Sequence, residues 1–162
     1  MSTIYSLRIE KHVLGGIINH PSCFFELDGH ITHEDFYSEV HSVVFKVIKS
    51  ILLEGGHSGS KLDDVVLSQK ISNLGISFKD DIDIFSYIKS IAFSQITKKA
   101  TIETAKELKK LKVRRDTEQT GKEISTYARK TGETTLSDFI TGVDEIYSDK
   151  IYEYVGESEP SN

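Results

Sequence analysis

Cysteine occurs once in the 162 residues, at Cys23. No disulfide can close within the chain, and no thiolate cluster for zinc or an iron–sulfur centre can be assembled. Proline occurs twice, at Pro21 and Pro160, so nothing between them interrupts a long helix. Tryptophan is absent and methionine occurs once, which with the scarce proline and cysteine excludes collagen-like, proline-rich and disulfide-scaffold classes. No apolar run is long enough to span a bilayer. The start, Met1-Ser-Thr-Ile-Tyr5, has neither the basic region nor the apolar stretch of a signal peptide. These absences predict a cytoplasmic protein with no membrane partner. Apolar residues make up 38%, charged residues 28%, and the net charge is −5, as in an ordinary mildly acidic domain with room for a small appendage.

Apolar spacing carries the fold. Ile9, Val13, Leu14, Ile17 and Ile18 recur at three and four, predicting a first helix from about residue 6 that stops before Pro21. Pro21 can start a short second helix through Phe24, Phe25 and Leu27. Thr32 with Asp35 resembles a helix cap, followed by the wide apolar face of Val40, Val43, Val44, Val47, Ile48, Ile51 and Leu52. Val65, Val66, Ile71 and Leu74 predict a fourth helix, and Ile84, Tyr87, Ile88 and Ile91 a fifth. From Thr97 to Lys130 there is no proline and a single glycine, which predicts one long helix. A last helix from about Thr135 to Val155 carries Leu136, Phe139, Ile140, Val143, Ile146, Tyr147, Ile151 and Tyr154. Two long helices joined by the short Thr131-Gly132 turn form an antiparallel hairpin. The predicted architecture is all-α: a helical globule of about five helices over residues 1–96, a helical hairpin over 97–155, and a polar tail or linker over 156–162.

Charge divides in the same way. Residues 98–130 hold 11 Lys/Arg against 5 Asp/Glu, while residues 131–162 hold 8 Asp/Glu and one lysine. The basic stretch, with Lys98, Lys99, Lys106, Lys109, Lys110, Lys112, Arg114 and Arg115, could approach nucleic acid. It has no aromatic interleaved among its lysines for base stacking. Contact with the acidic last helix or with protein is the preferred reading, and any DNA contact is expected to be indirect or weak.

No catalytic constellation emerges. Gly55-Gly-His-Ser-Gly-Ser-Lys61 lacks the Gly-Lys-Ser/Thr order of a phosphate-binding loop and follows a predicted helix instead of a strand. His30, His33, Glu34 and Asp35 have metal-ligand side chains, but a turn with a capped helix start explains them as well. Asp63-Asp64 and Asp80-Asp81 also read as caps at helix starts, Cys23 as a small buried hydrophobe and His41 as a hydrogen-bonded packing residue. No catalytic, cofactor or metal residue is therefore predicted.

One resemblance is specific. Glu10-Lys-His-Val13-Leu14-Gly15-Gly16-Ile17-Ile18, with Pro21 shortly after, resembles the first helix of the N-terminal domain of DnaB-family replicative DNA helicases. Asp35-Phe36-Tyr37, then His41 and Val44-Phe45, is similar to the family's next landmark. Leu62-Asp63-Asp64-Val65, and Ile102-Glu-Thr-Ala105 with Arg114-Arg115, follow in the family's order, so the likeness runs from about residue 5 to 155. The Gly-His-Ser-Gly-Ser loop and Asp80-Asp81-Ile82-Asp83 depart from the family pattern, as a divergent or phage-encoded member would.

The resemblance implies an assembly module, not an enzyme. ATP and Mg²⁺ are expected only in an attached motor domain. Such domains pair through their hairpins into dimers, three of which stack as a collar on a hexameric motor, and the collar receives primase and in some systems a helicase loader. Phe139, Val143, Ile146, Tyr147, Ile151 and Tyr154 are the expected self-association stripe. The matched residues Val13, Leu14, Gly15, Gly16, Asp35, Phe36, Tyr37, His41 and Phe45 are expected to serve the fold, the two glycines by admitting a close helix. The alternatives are the helicase-binding domain of a primase, a stand-alone helicase adaptor, or a DNA-binding regulatory protein using the basic helix.

Overall fold

The computed structural model describes residues 2–55 and 60–154. Residues 56–59, the Gly-His-Ser-Gly of the Gly55–Lys61 stretch, and the residues from Val155 onward, which include the expected tail, lie outside the described residues. Seven α-helices form and, among the described residues, no strand: α1 (Leu7–Asn19), α2 (Ser22–Leu27), α3 (Glu39–Leu53), α4 (Asp64–Ser72), α5 (Ile84–Ala92), α6 (Lys98–Lys130) and α7 (Leu136–Lys150). The all-α expectation holds, and no described helix is long and apolar enough to cross a membrane.

The helix starts follow from short polar side chains that accept otherwise orphaned N–H groups. Ser6 caps α1 by accepting from Ile9, Asp63 caps α4 by accepting from Val65 and Val66, and Thr135 caps α7 by accepting from Asp138. Two sequence expectations change. Thr32 and Asp35 do form a reciprocal capping box, but it closes a 3₁₀ turn at His33–Asp35, and α3 has its own cap in Ser38. Asp80 and Asp81 sit in a loop and not at a helix start. α5 opens behind Asp83, whose carboxylate takes the Ser86 hydroxyl instead of a backbone N–H.

The described residues form two units, each with its own contacts. The first, residues 6–109, holds α1 to α5 and the opening turns of α6. Its core gathers Leu14, Ile17, Ile18, Phe24, Phe45, Ile48, Leu67, Ile71, Ile88 and Leu108. In α4 the expected apolar set is out of phase: Val65, Val66 and Leu74 are exposed, and Leu67 and Ile71 are buried. Adjacent valines point about 100° apart on a helix, so they cannot both share the Leu67/Ile71 face.

The second unit joins residues 2–5 to the remainder of α6, α7 and a 3₁₀ turn at Tyr152–Tyr154. The expected last helix therefore ends at Lys150, with the 3₁₀ turn after it. The N-terminal strap is tied to α6 by Arg115, which donates to the Ile4 carbonyl at 2.9 Å, and by Ser2, which donates to Glu118 at 2.9 Å.

Candidate protein-interaction surface

The residues that carried the family resemblance have structural duties in the first unit. Val13, Leu14, Gly15 and Gly16 are buried in α1, and Phe36 and Phe45 are buried with ring centroids 5.2 Å apart. Tyr37 is half-buried and gives its backbone N–H to Glu10. A Cβ on Gly15 would lie 2.7 Å from the Ile91 carbonyl oxygen, and one on Gly16 would overlap the Thr101 side chain. Absent side chains thus let the end of α5 and the start of α6 close on α1.

His41 is fully buried between two partners. Its Nδ1 meets Glu10 Oε1 at 2.8 Å and its Nε2 meets the Tyr87 hydroxyl at 2.7 Å. Glu10, also fully buried, accepts the backbone N–H groups of Tyr37 at 2.8 Å and Ser38 at 3.2 Å. Burial, and then the charge of Glu10, push the Tyr87 phenol above its ordinary pKa. The sequence reading found His41 as a packing histidine and missed both partners. They lie 31 and 46 residues from it, beyond the reach of any local pattern.

Asp35 is likewise committed to the fold. It accepts the Thr32 N–H at 2.9 Å and pairs with the Lys109 ammonium at 3.0 Å. Among the described residues no group of three or more His, Cys, Asp or Glu side chains is brought together for a metal, the His30–Asp35 segment included. Cys23 is buried, which pushes its thiol above the usual range. Of the basic side chains, Lys98 faces Glu26, Lys106 faces Glu103, and Lys112 bonds Asp116.

Contacts near both ends of the hairpin hold it in the second unit. Near the turn, Tyr127 stacks on Phe139 with centroids 5.3 Å apart, and its phenol lies where a side chain on Gly142 would stand. At the other end, Asp116 is buried and takes hydrogen bonds from Lys112 (2.9 Å) and the Tyr154 hydroxyl. Burial alone would raise the Asp116 pKa. The Tyr154 and Lys112 hydrogen bonds, with the charges of Lys112 and Lys150, outweigh it and hold the carboxyl below its ordinary range.

Those contacts leave α7 short of cover. No residue of this 15-residue helix is buried. Phe139, Val143, Ile146, Ile151 and Tyr154 are half-buried, and Tyr147 is exposed. The predicted stripe therefore combines two faces: one carries Phe139 and Ile146 toward α6, the other points to solvent. The solvent face holds Leu136, Ile140 and Tyr147, which are 75%, 58% and 41% exposed. Leu136 and Ile140 were placed on the helix by their spacing but left out of the stripe. Their four-residue interval, followed by the seven residues from Ile140 to Tyr147, was the signal. An apolar row on a helix that buries nothing is a surface suited to another protein.

Comparison with known proteins agrees with the fold. The family model described as DnaB-like helicase N terminal domain matches residues 2–110. The replicative DNA helicase DnaB of Pasteurella multocida (strain Pm70) is 27% identical over 88 residues, which cover 54% of this chain and 18% of that protein. The chain thus matches under a fifth of that relative's length. The crystal structure of the N-terminal domain of DnaB helicase from Mycobacterium tuberculosis superposes with a TM-score of 0.74 at 17% identity, covering 94% of this chain and 99% of that one.

Proposed function

The chain belongs to the family of DnaB-like helicase N-terminal domains, and from that premise we propose that it is a non-catalytic assembly module of a replicative DNA helicase, pairing with a second copy through the outer face of α7. The observation that carries the pairing is the row Leu136, Ile140 and Tyr147 on a helix with no buried residue. Covering that row removes apolar area from water at ~25 cal/mol per Å², before the cost of association. Asp144, four residues after Ile140 and three before Tyr147, borders the row, while Asp138 and Glu145 on the opposite face keep an unpaired copy soluble.

In this reading the pairs are the units of a trimer of dimers within a hexamer, and the collar they form docks primase and, in some systems, a loader. ATP and Mg²⁺ act in an attached motor domain. Family membership supports this over the helicase-binding domain of a primase. Internal pairing of Lys106, Lys109 and Lys112 supports it over a DNA-binding regulator.

Light scattering on the purified chain tests the pairing. The Ile140→Asp, Tyr147→Asp double variant is expected to keep its helical circular dichroism and to fall to monomer mass at concentrations where the parent is dimeric. A variant that keeps the parent's oligomeric mass, or a parent that is monomeric throughout, removes α7 from the proposal.

A further inference from the structure

Arg8, Lys11 and His12 occupy one face of α1, at positions i, i+3 and i+4. With Ser90, Ile91 and Ser94 they line a hollow of about 320 Å³ in the first unit. Its frame is fixed. The amide of Asn19 donates to the carbonyls of Gly15 (2.8 Å), Ala92 (3.1 Å) and Ser94 (2.9 Å). The missing side chain of Gly15 lets the end of α5 press against α1. Asn19 and Gly15 thereby fix the α5 wall of the hollow against the helix that carries Arg8, Lys11 and His12.

Among the described residues neither Arg8 nor Lys11 has a carboxylate partner. Some basic side chains of the same unit stand near carboxylates, as Lys109 does with Asp35, Lys106 with Glu103 and Lys49 with Asp28. No carboxylate lines this hollow. Among the described residues Arg8 and His12 make no hydrogen bond or ion pair, and the Lys11 ammonium rests 5.4 Å from the Tyr87 ring centre. The Ser94 hydroxyl is also uncommitted, while that of Ser90 donates to the Tyr87 carbonyl at 2.7 Å. Like charges three residues apart on one helix face repel, so the nearness of Arg8 to Lys11 is a cost to the fold.

We propose that this hollow binds a compact phosphate anion, of the class of pyrophosphate or the terminal phosphates of a free nucleotide. Arginine offers a planar fork to two phosphate oxygens, lysine a mobile point charge, and the imidazole and Ser94 further donors. The volume, at the small end for ligand sites, admits a diphosphate and leaves a base outside. A nucleic-acid backbone calls for a longer basic track with many phosphate contacts, which Arg8, Lys11 and His12 on adjacent turns do not supply. The site does not depend on the helicase reading or on α7.

The test is a titration of the whole ¹⁵N-labelled chain with sodium pyrophosphate in phosphate-free, Mg²⁺-free buffer. Saturating shifts are expected at the amides around Arg8–His12 and Ser90–Ser94. Arg8→Gln and Lys11→Gln should each weaken the affinity about tenfold, equivalent to one strong charge contact, with the rest of the spectrum unchanged. Lys79→Gln, at an exposed lysine not among those that line the hollow, should leave it as it was. Tighter binding of ATP than of pyrophosphate would identify the source as a nucleotide, and equal binding would identify the diphosphate itself as sufficient. Shifts scattered over the α6 lysines, equal weakening by Lys79→Gln, or binding of oligothymidylate that pyrophosphate does not displace would each overturn the proposal.

Discussion

The unit of residues 6–109 and the unit of residues 2–5 with 110–154 draw on the same side-chain chemistry and use it in opposite ways. In the first, a carboxylate, an imidazole and a phenol are sealed in an apolar core with short hydrogen bonds among them. In the second, a carboxylate and two tyrosines fasten one helix along another, and α7 keeps its aliphatic side chains half or fully in water. A unit that buries its apolar face can be stable on its own contacts. A two-helix hairpin that does not is stabilised further by whatever covers it. The comparison therefore predicts that damage in the first unit is read as loss of folding, and damage in the second as loss of association or local order.

The largest effect should come from His41. His41→Ala removes the one side chain that links Glu10 to Tyr87 and leaves a buried carboxylate with only backbone donors. Removing one partner from a buried hydrogen-bonded network costs roughly 1–3 kcal/mol for each group left short of a partner, which should lower the urea midpoint of the helical signal sharply. A loss of under about 1 kcal/mol would show that this network is incidental to the stability of the core.

What could be read beforehand follows from how far apart the interacting residues lie. All seven helices were legible, because three-and-four spacing is local and Pro21 marks the first break, while of the expected caps only Asp63 opens an α-helix. The Glu10–His41–Tyr87 chain was not, although Glu10 and His41 both stood within the quoted motifs: nothing local says that two polar residues from different helices will share a buried site. The outer row of α7 was half legible. Phe139 and Ile140 are neighbours in sequence and lie about 100° apart on the helix, so a list of apolar residues joins faces that the fold separates. The α4 phase failed for the same reason, at Val65 and Val66. The Arg8, Lys11 and His12 face was present in the sequence, but the end of α5 that completes the hollow is some 80 residues away.

A matched pair of glycines sharpens the contrast between the units. Gly16→Ala places a methyl group into Thr101, itself fully buried and bonded to the Thr97 carbonyl, so α1 and α6 must separate. Overpacking of this kind costs ~1–3 kcal/mol and should appear in the same urea experiment. Gly142→Ala meets the far end of Tyr127, a ring that is only half-buried and can swing aside. The gain in helix propensity from glycine to alanine, ~1 kcal/mol, offsets much of that displacement. The expected result is a clear loss at Gly16 and a change within about 0.5 kcal/mol at Gly142. Equal losses at both would mean that the hairpin is packed as tightly as the core.

The smallest effect, and the one confined to the hairpin, concerns Asp116. Its carboxyl has a folded pKa below the unfolded one, so the stabilisation is complete above the unfolded value, near 4, and is lost as pH falls through the folded value. Acidification should release Tyr154 and the end of α7 while α1 to α3 remain protected, a difference visible in amide hydrogen exchange. Asp116→Asn keeps an acceptor for the Tyr154 hydroxyl but removes the charge that Lys112 and Lys150 favour. Exchanging the charged acceptor for a neutral one costs about 1 kcal/mol. The variant should exchange faster over residues 143–154 at neutral pH and lose the acid dependence there. If its exchange still quickened with acid as the parent's does, the titrating group would lie elsewhere, and the two ends of the hairpin would be held by apolar contact alone.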